Sequence, residues 1–146
     1  MRNETYQVES RDSMMTFEFI SEGPKGAIKK RVEYQKIDNN FFNLAFGDVD
    51  LETNAIDDKV ITHNNDTEKI LATVAKTVEF FIDEFPKAQI YAKGSSISRT
   101  RLYRIGISNN LKDIAEKFKI YGFLDAKGWV SYEKNSSYSA FLILKK

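Results

Sequence analysis

Residues 93 to 104, Lys-Gly-Ser-Ser-Ile-Ser-Arg-Thr-Arg-Leu-Tyr-Arg, hold most of what this chain offers to chemistry. Arg99, Arg101 and Arg104 fall within six positions, behind a Gly94-Ser95-Ser96 turn and beside Tyr103, with Lys93 at the head. A turn that leaves a strand and opens a helix exposes the helix's first amides, whose partial positive charge suits a phosphate or carboxylate. Arginine adds a planar fork that grips such an anion with two hydrogen bonds. Tyr103 offers a ring on which a base can stack, a usual companion of basic side chains in single-strand binders. Lys93, Ser95, Ser96, Arg99, Arg101 and Arg104 are therefore the expected anion-binding set, with RNA or DNA as the expected partner. The segment matches neither G-x-x-x-x-G-K-[ST] nor G-x-G-x-x-G, so neither nucleotide-binding fingerprint is present.

The opposing reading comes from the charge pattern. The formal net charge is only +1, yet the chain is polarised along its length. Between Asp38 and Glu68 stand eight acids (Asp38, Asp48, Asp50, Glu52, Asp57, Asp58, Asp66, Glu68) against the single base Lys59. Between Phe85 and Lys112 stand six bases and no acid. Either these blocks face each other, within the fold or across a homodimer or protein partner, or one of them faces a charged ligand. Arginine stems also cover apolar surface, so a purely structural role is open to all three.

Two further constellations carry weaker signals. Asp48, Asp50 and Glu52 alternate in Gly-Asp-Val-Asp-Leu-Glu, so an extended chain points all three one way, as a Mg²⁺ or Mn²⁺ site would need. The pattern is not that of an EF-hand, and solvation is the ordinary fate of such a loop. No metal or other cofactor is expected. His63 is the sole histidine and lies in a Thr-His-Asn-Asn-Asp run before a helix. With Tyr103 it forms the one catalytic pair open to a metal-independent ribonuclease or toxin-like protein. Trp129, Tyr121, Tyr132 and Tyr138 read as core and sheet surface rather than as a base-stacking platform.

The elements that must position these residues follow from periodicity. The segments 15–21 and 27–37 flank Glu-Gly-Pro-Lys-Gly; Ile28, Val32 and Tyr34 alternate with charged residues, which predicts a β-hairpin. Residues 41–48 form a third strand that Gly47 should end, and Asp58 to His63 a short one within an acidic loop. Over 66–85 the apolar residues Ile70, Leu71, Val74, Val78, Phe81, Ile82 and Phe85 recur at three- and four-residue steps, which predicts a helix. Asn65 and Glu68 suggest its capping box and Pro86 its end. A buried strand over 88–94 follows. The stretch 97–118 reads as a helix broken near Gly106 and Ser108-Asn109-Asn110, where its two apolar stripes fall out of phase. Strands then surround turns at 125–128 and 134–137, and Ala-Phe-Leu-Ile-Leu should lie inside the sheet. The fold class is α+β: one domain over 1–146, a mainly antiparallel sheet with two helices packed on one face.

A chain of 146 residues buries about 68–70% of its unfolded surface and needs no staple to fold. It has no cysteine, which excludes disulfides, thiolate nucleophiles and Cys-based metal sites and fits a reducing cytoplasm. Its polar first residues lack the apolar core of a signal peptide, and no run reaches membrane-spanning length, so no membrane partner is expected.

At Asn-Leu-Ala-Phe-Gly-Asp (43–48), Ile-Leu-Ala-Thr-Val-Ala-Lys-Thr-Val (70–78) and Gly-Ser-Ser-Ile-Ser-Arg-Thr-Arg-Leu-Tyr-Arg-Ile (94–105) the sequence resembles a family of small bacterial proteins of unknown function. The resemblance implies a stand-alone domain in a bacterial cytoplasm and assigns no activity. Three readings stand: an anion-binding module, a small ribonuclease, and an interaction module with internally paired charges.

Overall fold

The computed structural model describes residues 4–11, 13–57 and 62–146. The predicted hairpin forms from β2 (Thr16–Gly23) and β3 (Gly26–Asp38), with Gly23 paired to Gly26 across Pro24-Lys25. Gly26 has φ +91, a conformation that favours a residue without Cβ. Before it lies β1 (Glu9–Arg11), antiparallel to β2 and too short to show a period. The third strand, β4 (Phe41–Val49), runs through Gly47 instead of ending there. β5 (Ile56–Asp57) pairs with its last two residues, and the strand expected over 58–63 falls mostly outside the described residues.

The long helix α1 (Thr67–Glu84) forms as its periodicity predicts and stops before Pro86. Its expected capping box does not form. Asp66, not Asn65, is the cap residue, and its carboxylate accepts instead from the hydroxyls of Tyr6 and Ser21. Ser21 is fully buried, and a buried hydroxyl must find an acceptor. β6 (Gln89–Ala92) then leads into α2 (Ile97–Asn109) and α3 (Leu111–Lys117), which divide at Asn110. The tail supplies β7 (Phe118–Leu124), β8 (Gly128–Ser131) and β9 (Ala140–Lys145).

The sheet order is β1-β2-β3-β4-β6-β9-β7-β8, with β5 also on β4. Ala-Phe-Leu-Ile-Leu lies in β9 between β6 and β7, inside the sheet as its composition predicts. One pair, β4 with β6, is parallel, because α1 intervenes and returns the chain to the same end of the sheet. All other pairs are antiparallel, so the class is α+β. Phe17, Val32, Leu44, Ile90 and Phe141 share one face and meet Val78 and Phe81 of α1, Ile107 of α2 and Ile114 of α3 in a single core. The helices thus cover one face of the sheet and leave the other open.

Buried charge is costly at two points of the sheet, one on each face, and is paired at both. Lys30 is wholly buried on the core side and reaches Asp48 on β4 and the carbonyl of Thr62. On the open side Glu18 is gripped by Arg31 at 2.7 Å and flanked by Arg11 and Lys29. Among the described residues no helix is long and apolar enough to cross a membrane.

Candidate anion-binding cleft

The turn between β6 and α2 is pinned to the helix it opens. Ser96 is extended (φ −145, ψ 167) and its Oγ accepts from the amide of Arg99 at 3.2 Å, an N-cap of the ordinary serine kind. The amide of Gly94 donates to Oγ1 of Thr100 at 3.0 Å. Gly94 lies so close to α2 that a Cβ there would stand 2.4 Å from the amide nitrogen of Thr100. The first turn of α2 carries no acid.

Against this turn opens a cleft of about 560 Å³, lined on one side by Lys93, Ser95, Ser96, Arg101 and Arg104 and on the other by residues 137–139. Among the described residues the lining includes three cations and no carboxylate. The second wall comes from the Lys-Asn-Ser-Ser turn before β9, read from sequence only as a connection; Asn135 (φ 72) shapes it. Tyr132 braces the first wall. Its hydroxyl lies 2.6 Å from Oγ of Ser108 and donates to the carbonyl of Arg104 at 3.2 Å, and burial pushes its pKa above the ordinary value.

The three arginines do different work. Arg99 is buried, and its guanidinium donates to the carbonyl of Asp57 at 2.9 Å and that of Phe46 at 3.5 Å, outside the cleft lining. Arg101 is exposed, and like Lys93 has no ion pair among the described residues. Arg104 donates to Oγ of Ser137 at 3.3 Å across the cleft mouth.

Four acids of the acidic block are engaged away from the cleft. Asp48 pairs with Lys30, Asp66 serves Tyr6 and Ser21, and Asp38 caps the amide of Asn39. Asp50 turns back on its own loop, accepting from the amides of Glu52 and Thr53. Asp48, Asp50 and Glu52 therefore do not converge, because β4 ends at Val49 and the alternation that would align them ends with it. Among the described residues no group of three potential ligands is arranged to hold a metal ion.

His63 and Tyr103 also lie apart from the cleft lining. His63 is exposed, beside a small depression it shares with Phe46 and Leu102. Tyr103 packs against the core, along a narrow apolar cavity with Leu44, Val78 and Ile107. Tyr138 is buried, its ring lying over Gly122, where a Cβ would come within 2.2 Å of it. Trp129 and Tyr121 sit on the open sheet face, in register with Phe123 and Leu142 respectively.

These features define an α+β domain with a basic cleft where a strand end meets a helix N-terminus. The chain belongs to a family of unknown function (DUF6934), matched over residues 2–146. No curated protein and no solved structure matches it.

Proposed function

We propose that this domain is a binding module for an anionic partner, most simply the phosphate backbone of a nucleic acid, taken up in the cleft between α2 and the 137–139 turn. The observation that carries the reading is the convergence of Lys93, Arg101 and Arg104 on one cleft whose lining, among the described residues, holds no carboxylate. The open first turn of α2 adds partial positive charge at the same place. Ser95 and Ser96 can position a phosphate beside those amides, while Arg101 and Arg104 supply the forks. Arg99, held by main-chain carbonyls, fixes α2 against β4 and β5 so that the cleft keeps its shape. A nuclease built on His63 and Tyr103 is the weaker reading, since neither residue lines the cleft.

Titration of a labelled 12-mer oligonucleotide against salt tests the proposal. Three phosphate contacts predict a loss of about 20- to 40-fold in affinity between about 50 and 200 mM salt. The double variant Arg101→Ala/Arg104→Ala should weaken binding and flatten that slope. A wild-type protein that binds no oligonucleotide, or binds with no salt dependence, overturns the reading.

A further inference from the structure

The sheet face opposite the helices carries a run of rings. Centroid separations link Phe41 to Tyr91 (6.1 Å), Tyr91 to Trp129 (6.2 Å) and Trp129 to Phe123 (5.3 Å). The middle link is unusual in its reach. β6 and β8 are separated by β9 and β7, hence by about 14 Å at ordinary strand spacing, yet their rings nearly touch. The two side chains must lie down across the intervening strands, and Ala140, in register with Phe123 and through it with Trp129, leaves the room. The result is a layer of rings spread over the sheet, with Trp129 itself 43% exposed.

Two observations identify what this layer receives. The first is position. Lys93, in the cleft lining, follows Tyr91 by two residues, about 7 Å along an extended chain. Ser139, on the other wall, is bonded to the carbonyl of Phe123 and precedes Ala140. The cleft and the ring layer thus adjoin at the same ends of β6 and β9. The second is charge. On the open face of β4, β6, β7, β8 and β9 the registered residues include no acid; the one charged residue among them is Lys119, accompanied by the amides Asn43 and Gln89. One carboxylate stands at the junction, Asp125, which accepts from Oγ of Ser139 at 3.1 Å; the groove beside the half-buried rings still sets positive charge next to a stacking surface, as a flexible polyanion with splayed bases needs.

We infer that the partner is a single-stranded nucleic acid, whose phosphates enter the cleft while its unpaired bases stack on the layer formed by Phe41, Tyr91, Trp129 and Phe123. A duplex cannot do this, because its bases are already stacked on one another. The inference rests on the cleft engaging phosphate, and its test separates the two.

Trp129 is the sole tryptophan, so its emission reports on the layer directly. Addition of (rU)12 or (dT)12 to the full chain should quench that emission, and a blunt 12-base-pair duplex should bind at least tenfold more weakly. Trp129→Ala and Tyr91→Ala should each reduce affinity for the single strands about tenfold. Neither should change affinity for inorganic polyphosphate, which carries charge but no base. Unchanged Trp129 emission at saturating single strand overturns the inference on the wild-type protein, even where a variant fails to fold. Equal affinity for duplex overturns it too, as does a homodimer in sedimentation that shields Trp129. If polyphosphate binding survives and depends on Arg101 and Arg104 in any of these cases, the cleft reading stands without the ring layer. If Arg101→Ala/Arg104→Ala leaves polyphosphate and oligonucleotide binding untouched, the cleft reading itself fails.

Discussion

The guanidinium of Arg99 donates from Nη2 to the main-chain carbonyl of Asp57, 2.9 Å away and 42 residues earlier in the chain. Its Nη1 reaches the carbonyl of Phe46, and Gly47 beside it carries no side chain: a Cβ there would meet Cγ2 of Ile56 at 2.8 Å. One arginine therefore ties α2 to both β4 and β5. Gly106 of α2 makes a second joint, where a Cβ would lie 3.3 Å from Leu71 of α1. The three segments singled out in the sequence thus come together, and Phe46, Leu71 and Leu102, one from each, line the same small depression.

Arg99→Ala should consequently behave as a stability variant. It removes one donor each from the carbonyls of Phe46 and Asp57 and the packing of a buried side chain, at a cost of about 1–3 kcal/mol. Chemical denaturation should show that loss, while the slope of oligonucleotide affinity against salt should match wild type at temperatures where the variant is folded. Arg101→Ala should do the reverse, leaving the denaturation midpoint in place and reducing the slope.

The buried pair of Lys30 and Asp48 predicts that breaking the pair costs more than removing it. Asp48→Asn strands a wholly buried ammonium, which costs about 3–5 kcal/mol. Replacing both partners together, as Lys30→Met/Asp48→Leu, removes the charge with its partner and should recover most of that loss. Urea denaturation of the three proteins checks it; a double variant no better than Asp48→Asn contradicts the account.

Glu18 predicts a pH dependence. Burial alone would raise its carboxyl, but the Arg31 hydrogen bond and then the charges of Arg31, Lys29 and Arg11 overcome this and hold it below the ordinary 4.5. A carboxyl whose folded pKa is depressed binds protons more readily unfolded. Its contribution is complete above about pH 4.5 and fades as pH falls through the folded value. The stability gap between wild type and Glu18→Gln should be widest near neutrality and narrow below pH 4.5, as read by denaturation midpoints at pH 7 and pH 3.

Gly94→Ala tests the turn. The new methyl collides with main-chain atoms of α2, which cannot swing aside as a flexible side chain would. Turn and helix must separate, at about 1–3 kcal/mol. We expect a lower melting temperature together with weaker oligonucleotide binding, since the same displacement moves Lys93 and Ser96. Retained affinity in a folded Gly94→Ala protein would show that the turn does not shape the cleft.

Local pattern was sufficient for much of the fold. The alternation at Ile28, Val32 and Tyr34, the helical spacing from Ile70 to Phe85, and the apolar run at 140–144 each correspond to an element, because burial on one face imposes a period that one segment displays unaided. The same holds for the start of α2, since a Gly-Ser-Ser turn before a helix signals its own N-cap. Other features depend on partners distant in sequence. The parallel pairing of β4 with β6, the diversion of the Asp66 carboxylate from α1 to Tyr6 and Ser21, and the passage of β4 through Gly47 are settled by what packs alongside.

So too is the division among the arginines. Three identical side chains within six residues look alike in the sequence, and its charge blocks leave acids free to claim all of them. Helical rotation turns Arg99 inward to carbonyls of β4 and β5, while Arg101 and Arg104 line the cleft. The carboxylates described above are meanwhile used by Lys30, by hydroxyls and by their own turns. The sequence by itself determined the elements and the kinds of charge available. Only the tertiary structure decided which charges are neutralised, because pairing depends on distance in space, and residues tens of positions apart acquire that distance only when the sheet closes.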